Sequence, residues 1–332
     1  MDAITRMVAL DRDRPDPNLI DEAASILRDG GLVAFATETV YGLGADATNP
    51  SAVAKIFEAK GRPSHNPLIV HACDMIMVRS CVAEWPDAAD ELAQRFWPGP
   101  LTLVLPRSSL IPDLVTAGRE TVGVRVPALR VARSLISRAG VPVAAPSANR
   151  SNQISPTTAQ HVLKDLDGRI AMILDSGACR VGLESTVLDL STGQPKILRP
   201  GPITSREIER ALGLVKLQPH DGNAENPSSP GQQLVHYAPR TKAFRVEGHR
   251  LGGMTFAGPS ALLTFGKYVP PESPSFQRHQ AFRTPDEAAA NLYRLLHEWD
   301  AEGFSQIVIV PPPDKPDWDA VRDRVNRATT RP

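Results

Sequence analysis

"PSAVAKIFEAKGRPSHNPLIVHA", Pro50 to Ala72, sets the architecture. Its first half has helical spacing, with Pro50 placed for a first turn. Its second half, "PLIVHA", is a short apolar run bounded by turn residues, as a buried strand is. Between them stand Lys60, Arg62 and His65, with His71 at the far end, and the only acid in reach is Glu58. Cations crowded at the mouth of a strand with so little counter-charge imply that the counter-charge is a ligand.

The same helix-then-strand succession runs outward in both directions. "NLIDEAASILRDGG" is a helix ending at a glycine pair, and "LVAFAT" a buried strand. "PDAADELAQRFWPG" and "ALRVARSLISRAG" are helices. "LTLVLP", "TVGVRVPA", "VPVAAPSAN", "IAMILDSG" and "STVLDL" are strands. "SPTTAQHVLKDLDG" is a helix for which Ser155 is the expected N-cap, and "TSREIERALG" closes this part with a capped helix. Alternation of this kind predicts an α/β domain on a mixed, twisted sheet over residues 1–213. Residues 214–243 hold "HDGNAENPSSPGQQLVHYAPRTK", a long linker by composition, and its "HYAP" suits a segment packed onto a site. Residues 244–332 read as a smaller α/β unit. No internal repeat is visible.

The chain has 332 residues, 42% of them apolar, with 37 basic and 37 acidic side chains. A zero balance excludes a general nucleic-acid coat, so any basic patch is local. The cysteines, Cys73, Cys81 and Cys179, lack zinc-site spacing and suit reduced thiols. "MDAITRMVALDRDRPDP" has no signal-peptide run, and no segment approaches the roughly 20 apolar residues of a membrane helix. The expectation is a soluble cytoplasmic protein with no membrane contact.

Four clusters stand at the ends of predicted strands, where sites of open α/β folds collect. "TETVYGLG", Thr37 to Gly44, is either a ligand-binding loop or an ordinary strand-to-helix connection. In the opening stretch Lys60 suits a helix C-terminus, whereas Arg62, with Asn66 and His71 beyond it, offers forked donors to phosphate. His71 faces a cavity or a core neighbour. Arg125, inside an apolar strand, needs an anion, which is a structural carboxylate or a substrate's. Ser147, Asn149 and Ser155 fall in tight polar turns that serve either caps or a pocket. Ser185 and Thr186 start a strand and Arg199 ends one. No nucleophile elbow, P-loop, GxGxxG or metal-ligand cluster is present. Phosphate and carboxylate binders without a covalent nucleophile suit nucleotidyl transfer, where positioning and charge neutralisation do the work.

Taken in order, "TETVYGLGAD", "RPSHNPLIVH", "VGVRVP", "APSAN", "ESTV", "LRPG" and "SPG…HYAP" resemble the L-threonylcarbamoyladenylate synthases in their two-domain form with a YrdC-like catalytic domain. The resemblance implies a YrdC-like twisted mixed sheet with flanking helices and a smaller Rossmann-like α/β domain. It implies synthesis of threonylcarbamoyl-AMP from L-threonine, bicarbonate and ATP with release of pyrophosphate, Mg2+ accompanying the ATP. The product would pass to a separate transferase complex that modifies adenosine 37 of tRNAs reading codons that begin with A, and a weak tRNA contact is admitted. By the same resemblance Lys60, Arg62, Ser147 and Asn149 form the catalytic tetrad. Arg62, Asn66, Thr121, Ser147, Ser155, Arg199 and Tyr237 would hold ATP. Thr39, His71, Arg125, the backbone of Ala145, and Ser185 would hold threonine. The linker would be a lid that places Tyr237 over the site.

Two other readings compete. An RNA-binding module lacks support, because basic and aromatic residues are not interleaved. A carbamoyl-phosphate enzyme of the hydrogenase-maturation kind would need zinc fingers that three cysteines cannot build.

Overall fold

The computed structural model describes residues 4–213, 216–217, 237–256, 258–270 and 276–330. Ten strands form the larger sheet: β1 (Arg6–Ala9), β2 (Val33–Phe35), β3 (Gly42–Asp46), β4 (Ile69–His71), β5 (Leu101–Pro106), β6 (Thr121–Arg125), β7 (Val143–Ala144), β8 (Met172–Asp175), β9 (Thr186–Asp189) and β10 (Lys196–Arg199). Their order is β1-β8-β2-β3-β7-β4-β6-β5-β9-β10. Parallel pairs such as β4 with β6 alternate with antiparallel ones such as β5 with β6, so the sheet is mixed. A second sheet, β11 (Ala243–Arg245), β12 (Ser260–Phe265), β13 (Phe276–Phe282) and β14 (Gln306–Ile309), has the order β11-β14-β12-β13 and is parallel throughout. The predicted α/β class therefore holds for both sheets.

The helices are α1 (Pro17–Arg28), α2 (Pro50–Lys60), α3 (Met75–Cys81), α4 (Asp87–Phe96), α5 (Asp113–Thr116), α6 (Arg130–Ala139), α7 (Ala159–Leu166), α8 (Ser205–Leu212), α9 (Pro285–Glu302) and α10 (Asp319–Ala328). Helix α2 is built as its sequence prescribes. Pro50 sits in the first turn, the Asn49 side chain accepts from Ser51 N and Ala52 N, and Gly61 ends it in the left-handed region. Helix α8 carries the reciprocal Thr204–Glu207 capping box. Among the described residues no helix is long and apolar enough to cross a membrane.

Two expectations change, and a third lies mostly outside the described residues. Ser155 is not the cap of α7; that helix starts at Ala159, and Thr158 accepts from His161 N. "TETVYGLG" is half strand, because Gly42 onward pairs with β2 as β3. The segment 214–243 falls mostly outside the described residues, and its end, Ala243, already belongs to β11. Strands β1 and β13 and helices α3 and α5 gave no readable signal.

The two sheets pack through one apolar cluster in which Val40, Ile154, Leu183 and Tyr237 join Leu292, Tyr293, Leu296 and Val325. His161 of α7 stacks on His297 of α9, ring centroids 3.8 Å apart. Gly182 takes a positive φ of 77°, and a Cβ there would lie 2.4 Å from Ala289 O and 2.8 Å from Ala290 Cα. These are backbone atoms, so Gly182→Ala is expected to lower stability by roughly 2 kcal/mol or more. Thermal unfolding measures this; a change within the noise of a surface substitution would show that the contact is not part of the fold in solution.

Candidate active site

A small cavity of about 50 Å³ opens where β4, β6 and β10 end and β9 begins. Its wall includes Thr39, Arg62, His71, Arg125, Ala145, Ser147, Ser185, Arg199 and Tyr237, nine of the residues expected from sequence. Thr37, Val40, Pro146 and Glu184 complete much of the rest. A larger groove of about 1140 Å³, lined by Arg180, Glu207, Lys216, Asp317 and Arg327 among others, collects none of the expected residues.

The sheet itself brings His71 and Arg125 together, since the parallel β4–β6 register sets them opposite each other at the strand ends. Arg125 is almost fully buried and has its anion. Nη2 donates to Glu38 Oε1 (2.6 Å), Nη1 to Thr39 Oγ1 (3.1 Å) and Nε to Gly99 O (3.0 Å). Glu38 Oε2 also accepts from Ala128 N (2.9 Å). Of the two anions that the sequence admits, the structural carboxylate is present. Three of the five guanidinium N–H groups are used among the described residues, which leaves two for a ligand.

His71 is buried, and its Nδ1 has no hydrogen-bond partner among the described residues. Burial, then the charge of Arg125, lowers its pKa to about 3. The ring is neutral at ordinary pH and offers an acceptor at the cavity.

Lys60 closes α2 and turns inward. Nζ donates to Ser147 O (2.6 Å), Asn149 O (2.5 Å) and Asn149 Oδ1 (3.3 Å). Burial, then Arg62, pushes its pKa well below the usual lysine range, while Asp165 pulls it back. Three acceptors match the three donors of an ammonium. The Lys60 amine thus clamps the 147–149 turn and is not among the residues of the cavity wall. Ser147 Oγ donates to Asn149 Oδ1 (2.5 Å), and Asn149 Nδ2 donates to Gln153 O (2.7 Å).

Arg62 is different. It is buried, it lines the cavity, and its hydrogen bonds among the described residues go to two carbonyls, Asn66 O (Nε, 3.4 Å) and Pro67 O (Nη2, 3.0 Å). Burial lowers its pKa to about 10. Asn66 is buried beside it, and its Oδ1 has no partner among the described residues.

On the opposite wall Arg199 holds Ser185, with Nε to Ser185 O and Nη2 to Ser185 Oγ, both 3.1 Å. Ser185 Oγ lies 2.8 Å from Thr102 Oγ1. Ala145 lines the cavity, with its N–H donated to Ile69 O (3.0 Å). Tyr237 is buried, holds an unusual positive φ of 63°, and packs 5.6 Å from Tyr293. A non-glycine residue in that region is strained and persists only where its surroundings fix it.

Five expected residues lie off the cavity wall: Lys60, Asn66 and Asn149, placed above, and Ser155 and Thr121. Ser155 is fully buried behind it, donating from Oγ to Glu184 Oε1 (2.5 Å). Thr121 begins β6, four residues from Arg125, about 13 Å away along a strand. The sequence reading missed Glu38 and Glu184 as site residues, and Arg324 entirely. Glu184 sits inside the quoted "ESTV", and a buried carboxylate next to two site hydroxyls was the available signal. In α10 the signal for Arg324 was its place three residues after Val321 and four before Ala328, on the face that is buried.

A family model described as telomere recombination matches residues 25–201, and one described as the C-terminal domain of threonylcarbamoyl-AMP synthase matches residues 203–330. The chain is 41% identical to a threonylcarbamoyl-AMP synthase of Pyrococcus abyssi over 327 residues, covering 96% of each protein. It is 42% identical to the protein of that name from Bacillus subtilis, covering 94% of this chain and 93% of the relative. A crystal structure of P. abyssi Sua5 complexed with L-threonine superimposes with a TM-score of 0.88 at 38% identity, covering 98% of both chains.

Proposed function

The chain belongs to the threonylcarbamoyl-AMP synthase family, and from that premise we propose that it makes threonylcarbamoyl-AMP from L-threonine, bicarbonate and ATP, releasing pyrophosphate. Threonine's amine takes up CO2 or bicarbonate to form a carbamate, with loss of water when bicarbonate is the source. A carbamate oxygen attacks the α-phosphorus in line, the bond to the bridging oxygen breaks, and pyrophosphate leaves. No side chain is acylated.

The observation that carries this reading is Arg62, a buried cation at the cavity that, among the described residues, is held by carbonyls and no carboxylate. Such a cation is costly to keep unless an anion joins it, and a guanidinium fork fits a phosphate. On this reading Arg62, Asn66, Ser147, Ser155, Thr121, Arg199 and Tyr237 serve the nucleotide. Thr39, His71, Arg125, Ala145 and Ser185 serve threonine. Lys60 and Asn149 complete the tetrad, acting through the turn they clamp. His71, being neutral, accepts a hydrogen bond from the substrate ammonium. Both substrates held side by side at this site would supply rate through proximity.

Among the described residues no group of three His, Cys, Asp or Glu side chains is placed to hold a metal. The cations of the wall, Arg62, Arg125 and Arg199, suit a triphosphate that brings its own Mg2+. Bound there, it would screen the developing charge of pyrophosphate. We extend the proposal to the role of the product in modifying adenosine 37 of tRNA through a separate transferase complex. We also propose the division into a catalytic domain (1–213), a lid (214–243) and a C-terminal domain (244–332).

Pyrophosphate release from ATP tests the reading. It is expected to need both L-threonine and bicarbonate. Turnover indifferent to threonine would overturn it.

A further inference from the structure

The second sheet's helices reach the cavity wall at one carboxylate. Glu184 Oε2 accepts from Arg324 Nε (2.8 Å) on α10 and from Tyr293 OH (3.1 Å) on α9. Its Oε1 accepts from Ser155 Oγ (2.5 Å). Arg324 is completely buried and also donates from Nη1 to Pro200 O (3.0 Å) and to Asp323 Oδ2 (2.7 Å). Its guanidinium lies over the Tyr237 ring, 5.3 Å from the centroid. His297 Nε2 of α9 lies 3.2 Å from Ser155 O. Three side chains of the C-terminal helices thus fix Ser155, Glu184 and Pro200, each beside or next in sequence to a residue assigned to substrate.

We propose that Arg324 is a positioning residue for adenylyl transfer: by pairing with Glu184 it sets the Ser155 hydroxyl and the wall that carries Ser185 and Arg199. The proposal rests on the synthase reading and adds what the C-terminal domain does for it.

The chemistry runs through one proton. An ionised Glu184 only accepts, so Ser155 must donate to it, and what Ser155 presents elsewhere is lone pairs. Burial alone would push the Glu184 carboxyl up, but Arg324, then Arg199 and the Ser155 hydrogen bond, hold it at about 2. The charged and titratable groups around it are Arg199 on β10, Arg324 and Asp323 on α10, Tyr293 on α9, and Tyr237. Remove Arg324 and the carboxylate is buried with its nearest charge gone. It then takes up a proton or turns toward Arg199, and either change moves the groups that meet ATP.

The test uses the full chain and three variants, Arg324→Met, Arg324→Lys and Glu184→Gln/Arg324→Met. It reads pyrophosphate release with threonine and bicarbonate from pH 6 to 9, beside thermal unfolding. Arg324→Met is expected to lose about 10²-fold in kcat/KM for ATP, a typical cost of misplacing reacting groups by an ångström. Where the unpaired Glu184 takes up a proton, activity relative to the native chain should rise with pH as the carboxylate ionises again. Arg324→Lys restores the charge but not the fork that spans Glu184 and Pro200, so it recovers part of the loss and most of the pH independence. The double variant, in which the unpaired Glu184 carboxylate is replaced by a neutral amide, should exceed Arg324→Met by about tenfold.

Native-like kcat/KM and pH profile in Arg324→Met, with only a lower melting temperature, would overturn the proposal. If Arg324→Met does not fold, native-like kinetics in both other variants would overturn it equally. A native chain that shows no threonine-dependent pyrophosphate release sinks the synthase reading instead, so the two failures are distinct.

Discussion

Arg62→Ala is expected to lower kcat/KM for ATP by about 10²- to 10³-fold, the usual cost of removing one preorganised donor from developing negative charge. The preorganisation is visible. Gly61 turns the chain out of α2 in the left-handed region, and Asn66 O and Pro67 O take two of the guanidinium's N–H groups, so the remaining donors have a fixed direction. A loss confined to KM would mean that Arg62 binds substrate and transition state alike; a loss in kcat means it acts on the leaving pyrophosphate. Stability should move the other way. Burial lowers the Arg62 pKa, so the folded state disfavours its charge, and the variant should melt at the same temperature or higher. Such an exchange between stability and activity is common at charged sites. A variant that melts lower while turning over normally would make Arg62 a structural residue and remove the observation on which the proposed function stands.

The order in which that site became readable follows from the range of the interactions. Helix α2 and strand β4 were legible because caps, turns and apolar runs act within a few residues. Their junction was legible as a ligand site because charge imbalance is a local count. Arg125 was legible as a buried cation, but not its partner. Glu38 lies 87 residues away, and only the sheet brings them together. The bond between Glu184 and Arg324 spans 140 residues and two sheets. In sequence Arg324 is one of several charges on a polar-looking helix. Ser155 failed as a cap for a smaller reason. "SPTT" offers three hydroxyls, and the helix begins three residues later than the first of them suggests. The edge strand β13 has one buried residue in seven and reads "FQRHQAF", so neither alternation nor an apolar run marks it.

Arg125→Met separates two duties that one side chain performs. It should raise KM for threonine by about 10²-fold, because the proposed partner of the substrate carboxylate is gone. It should also destabilise the fold by about 3–5 kcal/mol, the cost of leaving Glu38 buried without its cation. The second effect threatens to hide the first, and the double variant Glu38→Gln/Arg125→Met resolves them. A neutral amide keeps the bond from Ala128 N and leaves no buried charge, so the melting temperature should return most of the way. Threonine binding should not return, because nothing in the double variant replaces the two N–H groups that Glu38, Thr39 and Gly99 leave unused. Isothermal titration with threonine and thermal unfolding, run on the same three proteins, give both readings. If affinity recovers along with stability, Arg125 only braces the Thr37–Val40 turn through Glu38 and Thr39, and threonine's carboxylate must be held by the other cations of the cavity, Arg62 or Arg199.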